Sequence, residues 1–227
     1  MPAAYAQAFA STEVAEHAQV VARRGARLVH GEICASASGE QVCVVAEDRP
    51  GLLALVTDAL LVHGLSIRNA KVYCRKRADG RSEAVDFFEL QHEKPGAGAE
   101  VGAAELAAFL QTLSELVAED VLAASRPSAA PPSNSPVTRV YFELEALRRD
   151  EATLLVEAPD TEGLLNAITN ALAAQNVHIH ASEIRTEAGV AHDRFELVSN
   201  DAQALTAVRL CDIQQAVHAA LPKPGRR

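Results

Sequence analysis

An internal repeat constrains the fold of this chain more than any other feature of its sequence. Residues 47–53 read Glu-Asp-Arg-Pro-Gly-Leu-Leu, and residues 157–165 read Glu-Ala-Pro-Asp-Thr-Glu-Gly-Leu-Leu. The glycines of these two stretches are 112 residues apart, and further identical residues recur at that offset: Thr57 and Thr169, Leu60 and Leu172, Ile67 and Ile179. A repeat of this length predicts two copies of one small domain.

Both copies show the same order of predicted elements, β-β-α-β-β-α. In the first copy, residue patterns predict strands over 31–37 and 40–47, a helix over 51–63, strands over 65–75 and 83–92, and a helix over 103–118. In the second copy they predict strands over 138–146 and 153–157, a helix over 163–175, strands over 177–186 and 191–199, and a helix over 202–221. A further helix is predicted over 11–27, and residues 1–10 are expected to be loose.

These elements predict an α+β fold with two ferredoxin-like units, each a four-stranded antiparallel sheet covered on one face by two helices, plus an N-terminal helix. The crossover from the second strand through the helix should be right-handed. The leading strand of each copy can fill the free edge of its own sheet. Alternatively, the strand at 138–146 completes the sheet of the first copy, and the sequence leaves both arrangements open.

Composition marks the domain boundaries. Residues 125–136 read Ser-Arg-Pro-Ser-Ala-Ala-Pro-Pro-Ser-Asn-Ser-Pro, which predicts an extended linker, because the stretch is rich in proline and poor in apolar side chains. The predicted organisation is therefore an N-terminal helical extension (1–30), a first domain (31–124), this linker, a second domain (137–222) and a tail (223–227).

Charge and hydropathy argue against several classes of function. The net charge of −9 disfavours nucleic acid as a partner, since binding it needs a basic surface. No stretch is apolar enough to cross a bilayer and no signal peptide is apparent, so we expect a cytoplasmic protein with no membrane partner. No nucleophile motif of the Gly-x-Ser-x-Gly type occurs, and the four cysteines lack metal-ligand spacing. We expect no catalytic residues, no metal and no cofactor.

One histidine pair invites a metal hypothesis. His178 and His180 alternate along a predicted strand and should face the same side. With His192 or Asp193 on the next strand they can form a metal site. Strand histidines that face solvent or an interface are much more common, so no metal is predicted.

Other polar residues are interpreted as structural. Asp86 and Asp193 begin the equivalent stretches 86–90 and 193–197 and should tie down hairpins rather than perform acid–base chemistry. His17 is interpreted as a surface residue, because its helix lacks the second histidine of a zinc-protease motif. With a tight two-residue turn in the first hairpin, Cys34 lies opposite Cys43, and a reducing cytosol favours two buried free thiols over a disulfide.

The turn Asp48-Arg49-Pro50-Gly51-Leu52-Leu53 in its strand–helix–strand frame resembles the ACT domain, a small regulatory module that commonly binds amino acids. The resemblance covers roughly residues 40–120 and 150–221. In detail, the chain resembles the tandem ACT region that ends bacterial PII uridylyltransferase/uridylyl-removing enzymes. In those enzymes a helix like residues 12–17 precedes the first copy, and a segment like Val140-Tyr141-Phe142-Glu143 precedes the second.

The resemblance implies a ligand at the strand-to-helix turn of each copy, at a domain interface. The implied ligand residues of the first copy are Asp48, Arg49, Gly51, Leu52, Leu53, Leu65, Ser66 and Ile67. Those of the second copy are Asp160, Gly163, Leu164, Leu165, Val177, His178 and Ile179. Amides at a helix start can bind a carboxylate, and an acidic side chain can bind an ammonium group. The second turn lacks the Arg and Pro of the first, so whether it binds a ligand stays open.

We therefore expect a non-catalytic regulatory module in nitrogen metabolism, with an amino acid as its effector; glutamine is the one that the resemblance implies. The nucleotidyltransferase and His-Asp phosphohydrolase motifs of the resembled enzymes are not found in this sequence. The expected partners are the effector, further copies of the chain through the ACT domains, and a regulated protein. The alternative is a protein–protein interaction scaffold that uses the same surfaces without a small ligand.

Overall fold

The computed structural model describes residues 1–36, 39–92, 101–119, 138–143, 150–200 and 203–222. The predicted linker at 125–136 and the tail at 223–227 lie outside these residues. The chain divides into two compact units, Met1–Arg49 with Ala59–Val121, and Pro50–Asp58 with Leu122–Arg227. Both units combine helices with antiparallel strands. None of the helices in the described ranges is long and apolar enough to cross a membrane.

The elements follow the predicted order with one addition at the N-terminus. They are α1 (Ala3–Ala8), α2 (Ser11–Arg24), β1 (Val29–Ser36), β2 (Gly39–Glu47), α3 (Leu52–Val62), β3 (Leu65–Lys76), β4 (Ser82–His92) and α4 (Ala103–Ala118). The remaining elements are β5 (Arg139–Phe142), β6 (Glu151–Pro159), α5 (Leu164–Ala174), β7 (Val177–Glu187), β8 (Val190–Ser199) and α6 (Ala207–Ala220).

Each unit has its own four-stranded antiparallel order, β1-β2-β4-β3 in the first and β7-β8-β6-β5 in the second. In both, the last strand lies between the two strands that flank the first helix, as in a ferredoxin-like arrangement. The leading strand fills the free edge, because β1 pairs with β2 and β5 pairs with β6. This pairing decides between the two arrangements that the sequence left open.

The helices of each unit pack on one face of its sheet, the inner face. In the first unit, α4 lies so close to β1 that a Cβ on Gly31 would come within 2.8 Å of Leu110 Cδ2. The C-terminal end of α3 meets α4, where His63 Nε2 lies 2.9 Å from Thr112 Oγ1. In the second unit, α5 packs on β7 and on α6, and Gln214 of α6 donates to the carbonyl of Val140 in β5 at 2.6 Å.

The first residues of α3 belong to the second unit, where they pack against α5. Thr57 Oγ1 lies 3.1 Å from Thr169 Oγ1, and both hydroxyls are buried. Asn166 donates from its side chain to Asp58 Oδ1 at 2.5 Å. Thr57 and Thr169 are equivalent residues of the repeat, so the same position of each copy supplies one hydroxyl to this buried contact.

The outer face of the first sheet, opposite its helices α3 and α4, is apolar and is covered by α1 and α2. Side chains from all four strands contribute to this cluster: Cys34, Cys43, Val45, Tyr73, Val85 and Phe87. Tyr5 and Val20 pack on it, with Phe9, Val14 and Val21 around them. The expectation that residues 1–10 are loose is therefore wrong, because Tyr5 anchors a short helix on the sheet.

Three further expectations are corrected. His17 is buried, not on the surface, since α2 turns it toward the sheet. The first hairpin pairs Cys34 with Gln41 and Glu32 with Cys43, so the two thiols are diagonal neighbours, both free and buried. Helix α6 begins at Ala207 rather than at residue 202, because Thr206 caps it by accepting the amide of Arg209.

We predict that Gly31→Val lowers the free energy of unfolding by roughly 1–3 kcal/mol, because the new side chain overpacks the contact between β1 and α4. Urea unfolding followed by far-UV circular dichroism measures the loss. In the Leu110→Ala background, which removes the side chain that clashes, Gly31→Val should cost clearly less. An equal cost in both backgrounds would contradict this account of the glycine.

Candidate functional site

The second strand-to-helix turn is built by a short set of backbone hydrogen bonds. The amide of Asp160 donates to the carbonyl of Gly189 at 2.9 Å, which fixes the end of β6. The amide of Leu164 donates to the carbonyl of Thr161 at 3.0 Å. Gly163 has a φ of 74°, a left-handed conformation that favours glycine, and its carbonyl accepts from Ala167 as α5 begins. The amides of Leu165 and Asn166 precede the first helical bond and can face a ligand.

The first turn repeats this construction. The amide of Asp48 donates to the carbonyl of Ser82 at 3.1 Å. Gly51 has a φ of 78°, and its carbonyl accepts from Leu55 at 3.1 Å. Leu52 and Leu53 are both buried, so they hold the helix start in place rather than face solvent. Arg49 lies on the turn between the aspartate and the glycine and is only partly exposed.

The remaining candidate residues of each copy lie at the opposite end of their own sheet. In the first unit, Glu47 pairs with Glu83 but Leu65 pairs with His92, nine positions away along β4, which is about 30 Å. In the second unit, Pro159 pairs with Val190 and His178 pairs with Val198, eight positions away, which is about 27 Å. Ser66–Ile67 and Val177–Ile179 share these far ends, so neither unit brings its turn and its predicted wall together.

The pairing of β7 with β8 also excludes the metal site considered for His178 and His180 with a residue of β8. His178 pairs with Val198, whereas His192 pairs with Arg185, six positions along β8 and about 20 Å away. A shift of register between Ile179 and Ala181 leaves His180 exposed at a β-bulge. His178 and His180 therefore do not form a metal site with His192 or Asp193.

A buried carboxyl group lies in the middle of each sheet, on the inner face. In the first unit, Asp86 stands in a row with Val44 and Val72. In the second unit, Asp193 stands in the equivalent row, between Val156 and Ile184. Both aspartates are 2% exposed, and among the described residues no hydrogen-bond partner meets either Oδ1.

Burial sets the protonation of these two groups. It raises the pKa of Asp86 well above the ordinary value, and the carboxylate of Asp48 raises this pKa further. A hydrogen bond from the backbone N–H of Tyr73 lowers the pKa in part. Burial raises the pKa of Asp193 to about 8; the backbone N–H of Arg185 opposes this, and the Asp160 carboxylate adds to it. Each aspartate therefore accepts a hydrogen bond from the neighbouring strand, in line with the structural role interpreted from the sequence. It does so as a buried acid whose pKa is raised further by the aspartate of the turn.

Two buried hydroxyls accompany Asp193 in the second unit. Thr161 Oγ1 lies on the turn and Ser182 Oγ lies on the inner face of β7, diagonal to Asp193, and neither has a partner among the described residues. Groups of this kind retain hydrogen-bonding capacity for water or for a polar ligand. The sequence does contain a signal for the two acids, because Asp86 and Asp193 interrupt the apolar side of their strands, but it does not show that they are buried.

We predict that Asp193 makes the protein less stable as pH rises. The folded state keeps a proton up to about pH 8, whereas the unfolded chain releases it near 3.8, so its contribution is present at low pH and is lost across that window. The loss approaches about 1.4 kcal/mol per pH unit. Urea unfolding between pH 5 and 8.5 gives the free energy of unfolding of the unmodified chain and of Asp193→Asn. As pH rises, the unmodified chain should lose stability relative to the variant.

Asp79→Asn is the matched control for this measurement. Hydrogen bonds with Arg81 lower the pKa of the exposed Asp79 from 3.8, so its contribution is lost only below that pH and the Asp79→Asn difference should stay constant between pH 5 and 8.5. A difference for Asp193→Asn that does not change with pH would show that the carboxyl group is not held as a buried acid.

Comparison with known proteins places the chain beside one group of curated enzymes. It is 28% identical over 231 residues to a bifunctional uridylyltransferase/uridylyl-removing enzyme of Phenylobacterium zucineum (strain HLK1), covering 98% of this chain and 24% of that enzyme. It is 30% identical over 176 residues to the enzyme of that name from Ralstonia nicotianae (strain ATCC BAA-1114 / GMI1000), covering 75% of this chain and 20% of the enzyme.

A third enzyme of that name, from Pseudoalteromonas translucida (strain TAC 125), is 36% identical over 74 residues, which are 33% of this chain and 8% of the enzyme. No family model matches the sequence. A solved structure of an unknown protein from Galdieria sulphuraria covers 78% of this chain at 19% identity, but its TM-score of 0.23 carries no argument about the fold. The chain thus resembles uridylyltransferase/uridylyl-removing enzymes over its length while spanning a quarter or less of theirs.

Proposed function

We propose that this chain is a non-catalytic regulatory module that binds a small effector, an amino acid such as glutamine, at its strand-to-helix turns. The observation that carries the proposal is the repeated turn: Asp48 and Asp160 stand three residues before Gly51 and Gly163, and both glycines have positive φ. Equivalent residues therefore build the same backbone twice, at the start of α3 and of α5.

The chemistry of the turn suits an amino acid. A free amino acid carries a carboxylate, which the amides and the positive end of a helix start stabilise. It also carries an ammonium group, which the aspartate of the turn can bind as a charge-assisted hydrogen bond. Because the turn of each copy lies far from that copy's own wall residues, Leu65–Ile67 or Val177–Ile179, the proposal places the effector on the turn residues.

The relatives support a regulatory role rather than an enzymatic one. They are named uridylyltransferase/uridylyl-removing enzymes, and this chain spans only 24% and 20% of the two that it matches over most of its length. We propose that it supplies the sensing part of such a system in nitrogen metabolism, with self-association through its ACT-like units. An effector acts allosterically when it binds one conformation more tightly than another, and the helix starts that it touches can carry that difference.

A panel of the twenty amino acids, tested by thermal shift and by isothermal titration calorimetry, examines this function. We expect one amino acid, glutamine first, to raise the melting temperature further as its concentration rises, as mass action requires. Asp48→Asn and Asp160→Asn keep the shape of each turn and remove its charge. Each should weaken binding at its own turn about 10- to 100-fold, since a hydrogen bond to a charged group contributes roughly 1.5–3 kcal/mol.

Two controls make the panel decisive. Asp79→Asn removes an aspartate from a different turn and should leave binding unchanged, whereas Gly51→Val strains the left-handed backbone of the first turn and should abolish binding there. If no amino acid changes the melting temperature or gives binding heat, the sensor proposal is wrong, and a protein-binding scaffold becomes the better account.

A further inference from the structure

A single histidine lies at the centre of the contact between the N-terminal helices and the outer face of the first sheet. His17 of α2 is 1% exposed. Its Nδ1 lies 2.9 Å from the hydroxyl of Tyr5 in α1, and its Nε2 lies 3.4 Å from the amide nitrogen of Gln41 in β2. The imidazole therefore touches α1 and the sheet at once.

Aromatic rings enclose the rest of this imidazole. Its centroid lies 4.3 Å from that of Phe87 and 4.8 Å from that of Phe9. Tyr5 in turn packs edge-on against Tyr73, with 5.5 Å between ring centroids. A neutral imidazole suits such a site, whereas an imidazolium would lose its water without gaining an anion in contact with it.

The surrounding charges do not reverse this preference. Burial lowers the pKa of His17, and the carboxylates of Glu13 and Glu16, on its own helix, oppose the shift only in part. Glu13 is held by the amide of Ala10 at 2.7 Å, and Glu16 is exposed. From α1, burial raises the pKa of Tyr5 to about 12, so this hydroxyl stays neutral.

The strands beneath His17 offer no carboxylate in contact with it among the described residues. Cys34 of β1 and Cys43 of β2 hydrogen-bond to each other, and that bond together with burial raises the pKa of the Cys43 thiol. Tyr73 of β3 is a phenol, and Lys71 of the same strand is a cation that lies 5.0 Å from the Phe9 ring. From β4, Phe87 is neutral. With the Gln41 amide nitrogen facing the ring, a proton on Nε2 would set two donors against each other.

The far end of α2 is attached by a different interaction. Arg24 in its last turn forms a buried ion pair with Glu83 at the start of β4, with 2.7 Å between Nη1 and Oε1. Arg75 of β3 binds the other oxygen of the same carboxylate. This buried ion pair is separate from the contacts of His17, so it attaches the C-terminal end of α2 by itself.

We propose that α1 and the N-terminal part of α2 form a proton-operated cover on the outer face of the first sheet, which protonation of His17 releases while the Arg24–Glu83 pair holds the other end. The released state binds one proton more than the docked state. Docking is therefore complete above about pH 6.5, the ordinary value for histidine, and is lost as pH falls below it. Release bares an apolar surface that includes Val85 and Phe87.

The cysteines of the chain report on this release directly. Cys34 and Cys43 lie under the cover, Cys74 is buried on the opposite face of the same sheet, and Cys211 is exposed on α6. We expect N-ethylmaleimide to modify Cys34 and Cys43 faster as pH falls, by up to about tenfold per unit between pH 6.5 and 5.5. The rates are read for each cysteine by mass spectrometry and divided, at each pH, by those of the urea-unfolded chain. Cys74 should stay protected and Cys211 should react fast throughout.

Two variants test whether His17 is the group responsible. His17→Phe keeps an aromatic ring and removes the titration, so the acceleration at low pH should disappear. His180→Phe makes the same change at an exposed histidine and should leave the acceleration intact. The proposal is overturned if Cys34 and Cys43 do not respond to pH, if Cys74 accelerates with them, or if His17→Phe keeps the response.

Nuclear magnetic resonance on the unmodified chain decides the matter if His17→Phe fails to fold. The imidazole signal of His17 should titrate below the ordinary histidine value, and its ring-current shift from Phe87 should vanish in the same pH range. A His17 signal that titrates while the Phe87 contact persists would overturn the release.

Discussion

A four-stranded sheet has two faces, and the helices of a ferredoxin-like unit cover only one of them. The other face must carry polar side chains or be covered by something else, because a bare apolar face is costly in water. The two units of this chain meet that requirement differently. In the first, β2 and β4 are buried on both sides and α1 with α2 covers the outer face. In the second, β8 alternates between buried and partly exposed residues, and its outer residues Arg194 and Glu196 form an ion pair.

The two units therefore differ on their outer faces although they share one strand order. The cover of the first unit is attached at one end by Arg24 and Glu83, near the end of the sheet where the first turn begins, since Glu47 pairs with Glu83. Its other end depends on a neutral His17. The second unit needs no cover, because its outer face carries charged side chains. On the inner face the two units are alike, since Asp86 and Asp193 occupy equivalent rows.

Much of the fold could be predicted, because the repeat and the strand patterns are local signals. The turns at Gly51 and Gly163 were predictable from sequence spacing, and both glycines do adopt positive φ. Each predicted wall, Leu65–Ile67 or Val177–Ile179, lies at the other end of the sheet from the turn of its own copy, because a crossover helix returns the chain to that end before the next strand starts. His17 was misjudged because its helix is polar at most positions, and one buried histidine leaves no periodic pattern.

The sequence by itself determined the elements, their order and the duplicated turn, since apolar spacing and glycine act over a few residues. Tertiary structure alone decided which strand fills each edge, how far Cys34 lies from Cys43 in register, and that His17, Asp86 and Asp193 lose contact with water. The physical reason is that desolvation depends on what packs against a side chain, and those neighbours come from distant parts of the chain. Tyr5, Gln41 and Phe87 surround His17, yet up to 70 positions separate them from it.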